Sequence, residues 1–217
     1  MTVEKFTALT PELHRYLTEH SSWRDDPVSR AVEEAAEGME QPQMQISPDQ
    51  AAFMTVLVRA SGARRALELG TFLGYGSIAI GRGLGEDGSL LSCEIDGSNA
   101  ERARGYIEAA GLSERVEVRV GPALDTLRSL PQAEAFDLAF IDADKVNYPA
   151  YYEEVLARSV PGGLILVDNT FMGGSVLDPD GDSSRAVAEL NDAIAADDRV
   201  EAAMVGVADG ITLALKR

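Results

Sequence analysis

Ala66-Leu67-Glu68-Leu69 runs directly into Gly70-Thr71-Phe72-Leu73-Gly74-Tyr75-Gly76-Ser77. The pattern is a short apolar strand, a glycine-punctuated turn and the start of a helix. Glycines at 70, 74 and 76 permit a tight turn and let a ligand approach the backbone. The turn is not the dinucleotide fingerprint, which needs G-x-G-x-x-G straight after the strand. That string occurs at Gly83-Leu84-Gly85-Glu86-Asp87-Gly88, where it follows a helix and reads as a loop. Plain strand–helix punctuation accounts for the glycines but leaves Glu68, an acid within an apolar strand, unexplained.

Outward from this unit the same pattern repeats. Strands are predicted at Ala66–Leu69, Ser89–Ile95, Val116–Val120, Phe136–Ile141 and Gly163–Val167, with helices near 75–84, 98–110, 122–130 and 148–159. Strand–helix alternation at this spacing means βαβ units and a mostly parallel, doubly wound sheet. The tail departs from it. A helix at 184–196 leads into strands Val200–Val207 and Ile211–Leu215 across Asp209-Gly210, a hairpin signal that makes the last strand antiparallel. Upstream, residues 1–45 read as helical and polar, broken at Pro11, Pro27 and Pro42. Ser47-Pro48-Asp49-Gln50 starts a further helix, with Ser47 as cap and Gln50 completing a capping box.

The 217 residues allow one domain with an added N-terminal segment. Apolar residues make up 45% and charged residues 25%, an ordinary globular composition. No apolar run approaches the roughly 18 residues of a membrane span, and no basic-then-apolar leader opens the chain, so a cytoplasmic protein is expected. The net charge of −17 argues against nucleic acid and anionic membranes as partners. Cys93 is the only cysteine, which excludes an intrachain disulfide or a thiolate metal cluster. The histidines, His14 and His20, both lie near the N-terminus. There are 16 arginines but only three lysines, and Lys145 alone lies away from the chain ends.

Ligands of doubly wound sheets collect at the C-terminal ends of strands. The second strand ends Glu94-Ile95-Asp96, where an acid can accept the hydroxyls of a ribose or start the next helix. The fourth ends Asp142-Ala143-Asp144-Lys145 and the fifth Asp168-Asn169. If those two strands are neighbours, Asp142, Asp168 and Asn169 bring three hard oxygens together, a set suited to Mg²⁺. Helix capping is the alternative for the three aspartates. Lys145 fits capping poorly; beside a divalent ion it has reason to lose its proton and act as a base.

Together these residues resemble the cation-dependent class I S-adenosylmethionine (SAM) O-methyltransferases, in the caffeoyl-CoA and catechol O-methyltransferase group. Met44-Gln45-Ile46-Ser47-Pro48, the Gly70 turn, Cys93-Glu94-Ile95-Asp96, Gly121-Pro122-Ala123-Leu124, Phe136-Asp137-Leu138 leading into Ile141 to Lys145 and Asn147-Tyr148, Pro161-Gly162-Gly163, Asp168-Asn169, Asn191 and Asp209-Gly210 carry the resemblance. It implies a Rossmann-like, seven-stranded sheet with helices on both faces. It also implies that Glu68 and the turn residues Gly70, Thr71, Phe72 and Gly74 approach the methionine part of the cofactor, lined by Met44 and Ile46. Glu94 with Ile95 would take the ribose, Ala123 the adenine edge, and Asp144, with Asp142 nearby, would help hold the cofactor. Asp142, Asp168 and Asn169 would hold Mg²⁺, or another divalent ion such as Mn²⁺ or Ca²⁺. Lys145 would be the catalytic base, and the chain would pair as a homodimer.

The chain departs from the group at three places. Gly76 stands where a serine normally reaches the cofactor carboxylate, so Ser77 through a shifted turn, or backbone N–H groups, would have to serve. Met172 and Gly173 occupy places that often hold tryptophan and a nearby asparagine on the substrate. Gly206 replaces a proline. The expected reaction is methyl transfer to a catechol-like aromatic hydroxyl, with a coenzyme A ester as alternative. Few basic residues (Lys5, Arg15, Arg24, Arg30) stand in the N-terminal segment to meet such a polyanion. The loop Phe171–Ser184 and the N-terminal helices are expected to shape the pocket. A non-catalytic SAM-binding protein and a nicotinamide dehydrogenase are the competing classes. The first conflicts with the intact Asp142, Lys145 and Asp168. The second lacks its fingerprint in the right place and a plausible proton donor.

Overall fold

The structure, a computed structural model, describes residues 7–23, 26–133 and 135–217; Lys5 and Arg24 lie outside them. Seven strands form one sheet: β1 (Arg65–Leu69), β2 (Ser89–Glu94), β3 (Val116–Val120), β4 (Phe136–Ile141), β5 (Ser159–Val167), β6 (Val200–Val205) and β7 (Ile211–Lys216). Their order is β3-β2-β1-β4-β5-β7-β6. The first five are parallel, and β7 runs antiparallel to both its neighbours. Helices α1 (Pro11–Glu19), α2 (Pro27–Glu37) and α3 (Pro48–Ser61) precede the sheet. Helices α4 (Tyr75–Gly83), α5 (Gly97–Ala109), α6 (Ala123–Ser129), α7 (Tyr148–Arg158) and α8 (Asp182–Ala195) connect its strands.

Successive strand residues face opposite sides, and both sides are covered. Ala66, Leu90, Leu138, Phe140 and Leu166 pack with residues of α3, α4 and α5. Leu67, Leu69, Ala139, Ile141, Ile165 and Val167 pack with residues of α6, α7 and α8. Coverage on both faces is why the central strands read as unbroken apolar runs.

Boundaries differ from expectation where local geometry intervenes. Strand β5 begins at Ser159, not Gly163. Pro161 has no N–H, Gly162 has φ +77°, and the β4–β5 register shifts between Phe136 and Leu138, so an irregularity absorbs both residues within the strand. The β6–β7 hairpin is not a tight Asp-Gly turn. It is a longer loop over 206–210, with Ala208 at φ +47° and Gly210 at φ +82°. The prolines at 11, 27 and 42 open helical turns.

The N-terminal segment folds back over α4. Trp23, only 6% exposed, meets the Tyr75 ring edge-on at 5.8 Å and lies under the Arg82 guanidinium at 5.1 Å. Arg82 in turn bonds Asp26 at 2.8 Å, and the Tyr75 hydroxyl donates to Glu33. Trp23 is therefore covered within the chain. Leu9, Leu13, Tyr16 and Leu17 are exposed, and α1 buries no residue.

Strand order reverses between β1 and β4, and backbone pairing continues past their tips. Gly70 N–H donates to Cys93 O at 3.0 Å, Asp142 N–H to Leu69 O at 2.8 Å, and Asp168 N–H to Ile141 O at 3.0 Å. Gly70 has φ +97°, and a Cβ there would stand 2.1 Å from the carbonyl oxygen of Asp142. Both conditions exclude any other residue. Gly70→Ala is expected to cost about 2–4 kcal/mol, since strained φ and backbone overpacking add. Urea unfolding at wild-type stability would refute that constraint.

Candidate active site

A cavity of about 730 Å³ opens at the C-terminal tips of β1, β2, β4 and β5, at the reversal of strand order. Of the residues predicted for the site, Met44, Ile46, Glu68, Gly70, Thr71, Phe72, Glu94, Ile95, Ala123, Asp142, Asp144, Lys145, Asp168 and Asn169 line it. Gly74 and Ser77 do not line it. Gly74 lies against Ala103 of α5, where an added Cβ would sit 3.3 Å from the alanine methyl. Ser77 is fully buried behind the wall and donates to Glu68 Oε2.

That bond belongs to a small network. Ser92 Oγ also donates to Glu68 Oε2, at 2.5 Å, and shares a hydrogen bond with Thr71 Oγ1 at 2.5 Å. Burial outweighs these bonds and pushes the Glu68 carboxyl up to about 8. A Cβ on residue 76 would lie 2.4 Å from Glu68 Oε1. A serine at 76 would thus displace the carboxyl group of Glu68, and in this chain the hydroxyl sits one residue later, behind the acid.

At the next tip the two acids divide their tasks. Asp96 caps α5, accepting from the N–H groups of Ser98 and Asn99. Glu94 faces the cavity, and its carboxylate braces the Gly70 turn. Oε2 accepts from Thr71 N–H at 3.2 Å and Phe72 N–H at 2.7 Å, and Oε1 from Asp96 N–H at 2.9 Å. A carboxylate offers about four acceptor positions, so capacity remains on Oε1 for a ligand. Phe72 is held at φ +48° in this turn. Cys93 also lines the cavity, but burial pushes its thiol up to about 11, so it is not a thiolate nucleophile.

Parallel pairing of β4 and β5 brings Asp142 and Asp168 to adjacent tips. Asp142 makes no capping bond. Its Oδ1 accepts from Lys145 Nζ at 2.7 Å, and the same Nζ donates to the Tyr148 hydroxyl at 2.6 Å. Burial raises the Asp142 carboxyl against the pull of Lys145. Burial, then the charge of Asp142, pushes Asp168 up to about 7. Asp168 Oδ1 accepts from the N–H of Asn169 at 2.7 Å and Oδ2 from Gln50 Nε2 at 2.8 Å. Asn169 is held at φ +53°, and its side-chain amide makes no hydrogen bond among the described residues. One buried carboxylate (Asp168) and one part-buried carboxylate (Asp142) facing one ammonium leave a local excess of negative charge. With the Asn169 amide they form a hard-oxygen set that fits Mg²⁺ or a similar ion. Among the described residues no three His, Cys, Asp or Glu side chains converge, so such a site rests on two carboxylates and an amide.

Asp144 is gripped on both oxygens, by Tyr151 Oη and Asn147 Nδ2 at 2.5 Å each. Sequence reading missed three contributors. Gln50 had been assigned to a capping box, which does not form: Ser47 makes no capping bond. Tyr148 stands in the resemblance only within Asn147-Tyr148, with no role given to it, and Tyr151 carries no signal beyond its i+7 spacing from Asp144. The loop 171–184 and helices α1 and α2 were expected at the pocket and do not line it; Gln41, Gln43 and Asp209 do.

A sequence profile described as O-methyltransferase matches residues 18–217. The chain belongs to the O-methyltransferase family. It is 37% identical to caffeoyl-CoA O-methyltransferase 2 of Zea mays over 215 residues, covering 93% of this chain and 81% of the maize protein. It is 42% identical to catechol O-methyltransferase of Mycobacterium tuberculosis over 164 residues, 76% and 74% of the two chains. Among solved structures, the Bacillus cereus O-methyltransferase in complex with SAH superposes with TM-score 0.88 at 35% identity, over 95% and 97% of the chains. TomG of Streptomyces achromogenes, an O-methyltransferase of tomaymycin synthesis in complex with SAM, gives 0.87 at 34%, over 94% and 96%. The enzyme is thus a SAM-dependent O-methyltransferase of the caffeoyl-CoA and catechol group.

The bracing of the Gly70 turn by Glu94 has a measurable energy. Glu94→Ala strands the buried N–H groups of Thr71 and Phe72 and is expected to destabilise the O-methyltransferase by about 1–3 kcal/mol. Chemical denaturation of the cofactor-free protein reads it directly; no loss would mean that water replaces the carboxylate at no cost.

Proposed function

We propose that the enzyme methylates a hydroxyl of a catechol-like aromatic small molecule, using a divalent cation held by Asp142, Asp168 and Asn169. The observation that carries this reading is the meeting of those oxygens with Lys145 at one cavity. When bound, such a cation supplies Lewis-acid stabilisation of the acceptor oxygen as it loses its proton. Glu68, Glu94, Ala123 and Asp144 orient SAM along the β1–β2 side, with Met44 and Ile46 closing the wall. Lys145 takes the acceptor proton at Nζ. Tyr148, whose hydroxyl is kept protonated by burial and acidic neighbours, holds that amine in place. Alignment of acceptor oxygen and methyl donor contributes much of the rate.

Lining charge favours a catechol over a coenzyme A ester. Six acids (Glu68, Glu94, Asp142, Asp144, Asp168, Asp209) and a single base, Lys145, line the cavity. Neither Arg15 nor Arg30 lines it, so little stands there to bind a polyanion. A homodimer is proposed from the exposed apolar residues of α1; sedimentation velocity at micromolar concentration, giving only monomer, would reject it.

The direct test offers a panel of catechols, and caffeoyl-CoA, with methyl-labelled SAM. Label transfer to a catechol, abolished by chelator and restored by Mg²⁺, is expected. Full turnover in excess chelator, with no metal carried over, would remove the metal from the reaction.

Lys145→Arg separates base from charge. Arginine keeps the cation beside Asp142 but cannot give up its proton near neutral pH. A drop in turnover of about 100-fold or more is expected, with SAM binding retained by calorimetry. Near-normal turnover would make Lys145 purely electrostatic.

A further inference from the structure

Gln50 occupies the third position of α3, where a glutamine ordinarily turns back to the backbone of the N-cap residue. Here the box is forgone. Ser47 Oγ is buried without a partner among the described residues, while Gln50 sends its side chain across the fold to Asp168, 118 positions along the chain. Both Gln50 and Asp168 are 2% exposed. Local preferences set aside for a long-range contact concentrate at functional positions. The turn carrying Gln50 is itself fixed from outside: the adjacent Asp49, also buried, meets His14 Nε2 of α1 at 3.2 Å.

The bond to Asp168 constrains that carboxylate in two ways. With Asn169 N–H on Oδ1 and Gln50 Nε2 on Oδ2, each oxygen has one donor, so rotation of the group is blocked. Each oxygen also keeps acceptor capacity. The donor is neutral. An arginine or lysine at position 50 would consume the negative charge of Asp168, as Lys145 already does for Asp142. An amide orients the carboxyl group without neutralising it.

We propose that Gln50 is a positioning residue for the metal site: its amide N–H holds the Asp168 carboxyl group in the rotamer that binds the divalent cation. The proposal rests on the metal-dependent reading given above. Gln50 acts through Asp168, as the outer partners of metal ligands do in general.

The test uses Mn²⁺ as probe, titrated into the cofactor-free full chain and followed by electron paramagnetic resonance. Gln50→Met keeps length and burial but removes the donor. Gln50→Asn keeps the amide one methylene short of Asp168. Both are expected to weaken Mn²⁺ binding by about 10–100-fold, with SAM affinity by calorimetry and the thermal midpoint close to wild type. Turnover lost at low Mg²⁺ should return as Mg²⁺ is raised, a rescue that a merely structural role would not give. Wild-type protein that binds Mn²⁺, with folded variants that bind it equally well, overturns the role of Gln50 alone. Wild-type protein that binds no Mn²⁺ overturns the metal reading and this inference together. Parallel losses of metal, SAM and thermal stability would mark Gln50 as structural, and also overturn the proposal.

Discussion

Everything at the active site depends on how closely β1 and β4 approach beyond their tips. The Asp142 N–H reaches Leu69 O, and Gly70 leaves no atom between its own backbone and the Asp142 carbonyl. That contact sets where Asp142, Lys145 and Asp144 emerge relative to the Glu68 strand. Because β5 pairs in register with β4, it also sets where Asp168 and Asn169 arrive. A side chain at position 70 would move both sides of the cavity at once.

The second organising constraint is charge. Solvation normally keeps carboxylates apart or wet, yet this cavity draws Glu68, Asp142 and Asp168 into poorly solvated positions with one lysine among them. Polar neighbours hold each acid differently: hydroxyls on Glu68, an ammonium on Asp142, amides on Asp168. Energy that folding gave up in desolvation is recoverable when cations enter. The sulfonium donor is a cation, so the site is preorganised for what the O-methyltransferase reaction brings into it.

Much of this was legible in the chain because it is encoded locally. The strand–helix alternation, the antiparallel tail and the strand-tip acids each follow from a few consecutive residues. What stayed hidden depends on contacts between distant segments or on backbone that bends. Gln50 looks like a helix cap until Asp168 is placed beside it. Ser77 looks like a cofactor ligand until the helix turns it behind Glu68. The onset of β5 was missed because Pro161-Gly162-Gly163 reads as a loop, and only pairing with β4 draws it into the sheet. The loop 171–184 had a pocket-like composition, but the strand tips and the segment around Gln43 fill that place first.

Cys93 gives the enzyme an internal reporter. The chain's single thiol stands in the cavity wall, buried and held in its unreactive protonated form. A maleimide dye therefore has one possible address on the polypeptide, and it reaches it only when the wall around β2 opens. The labelling rate measures that breathing without any engineered probe. Its slowing by bound SAM would time how long the cavity stays shut.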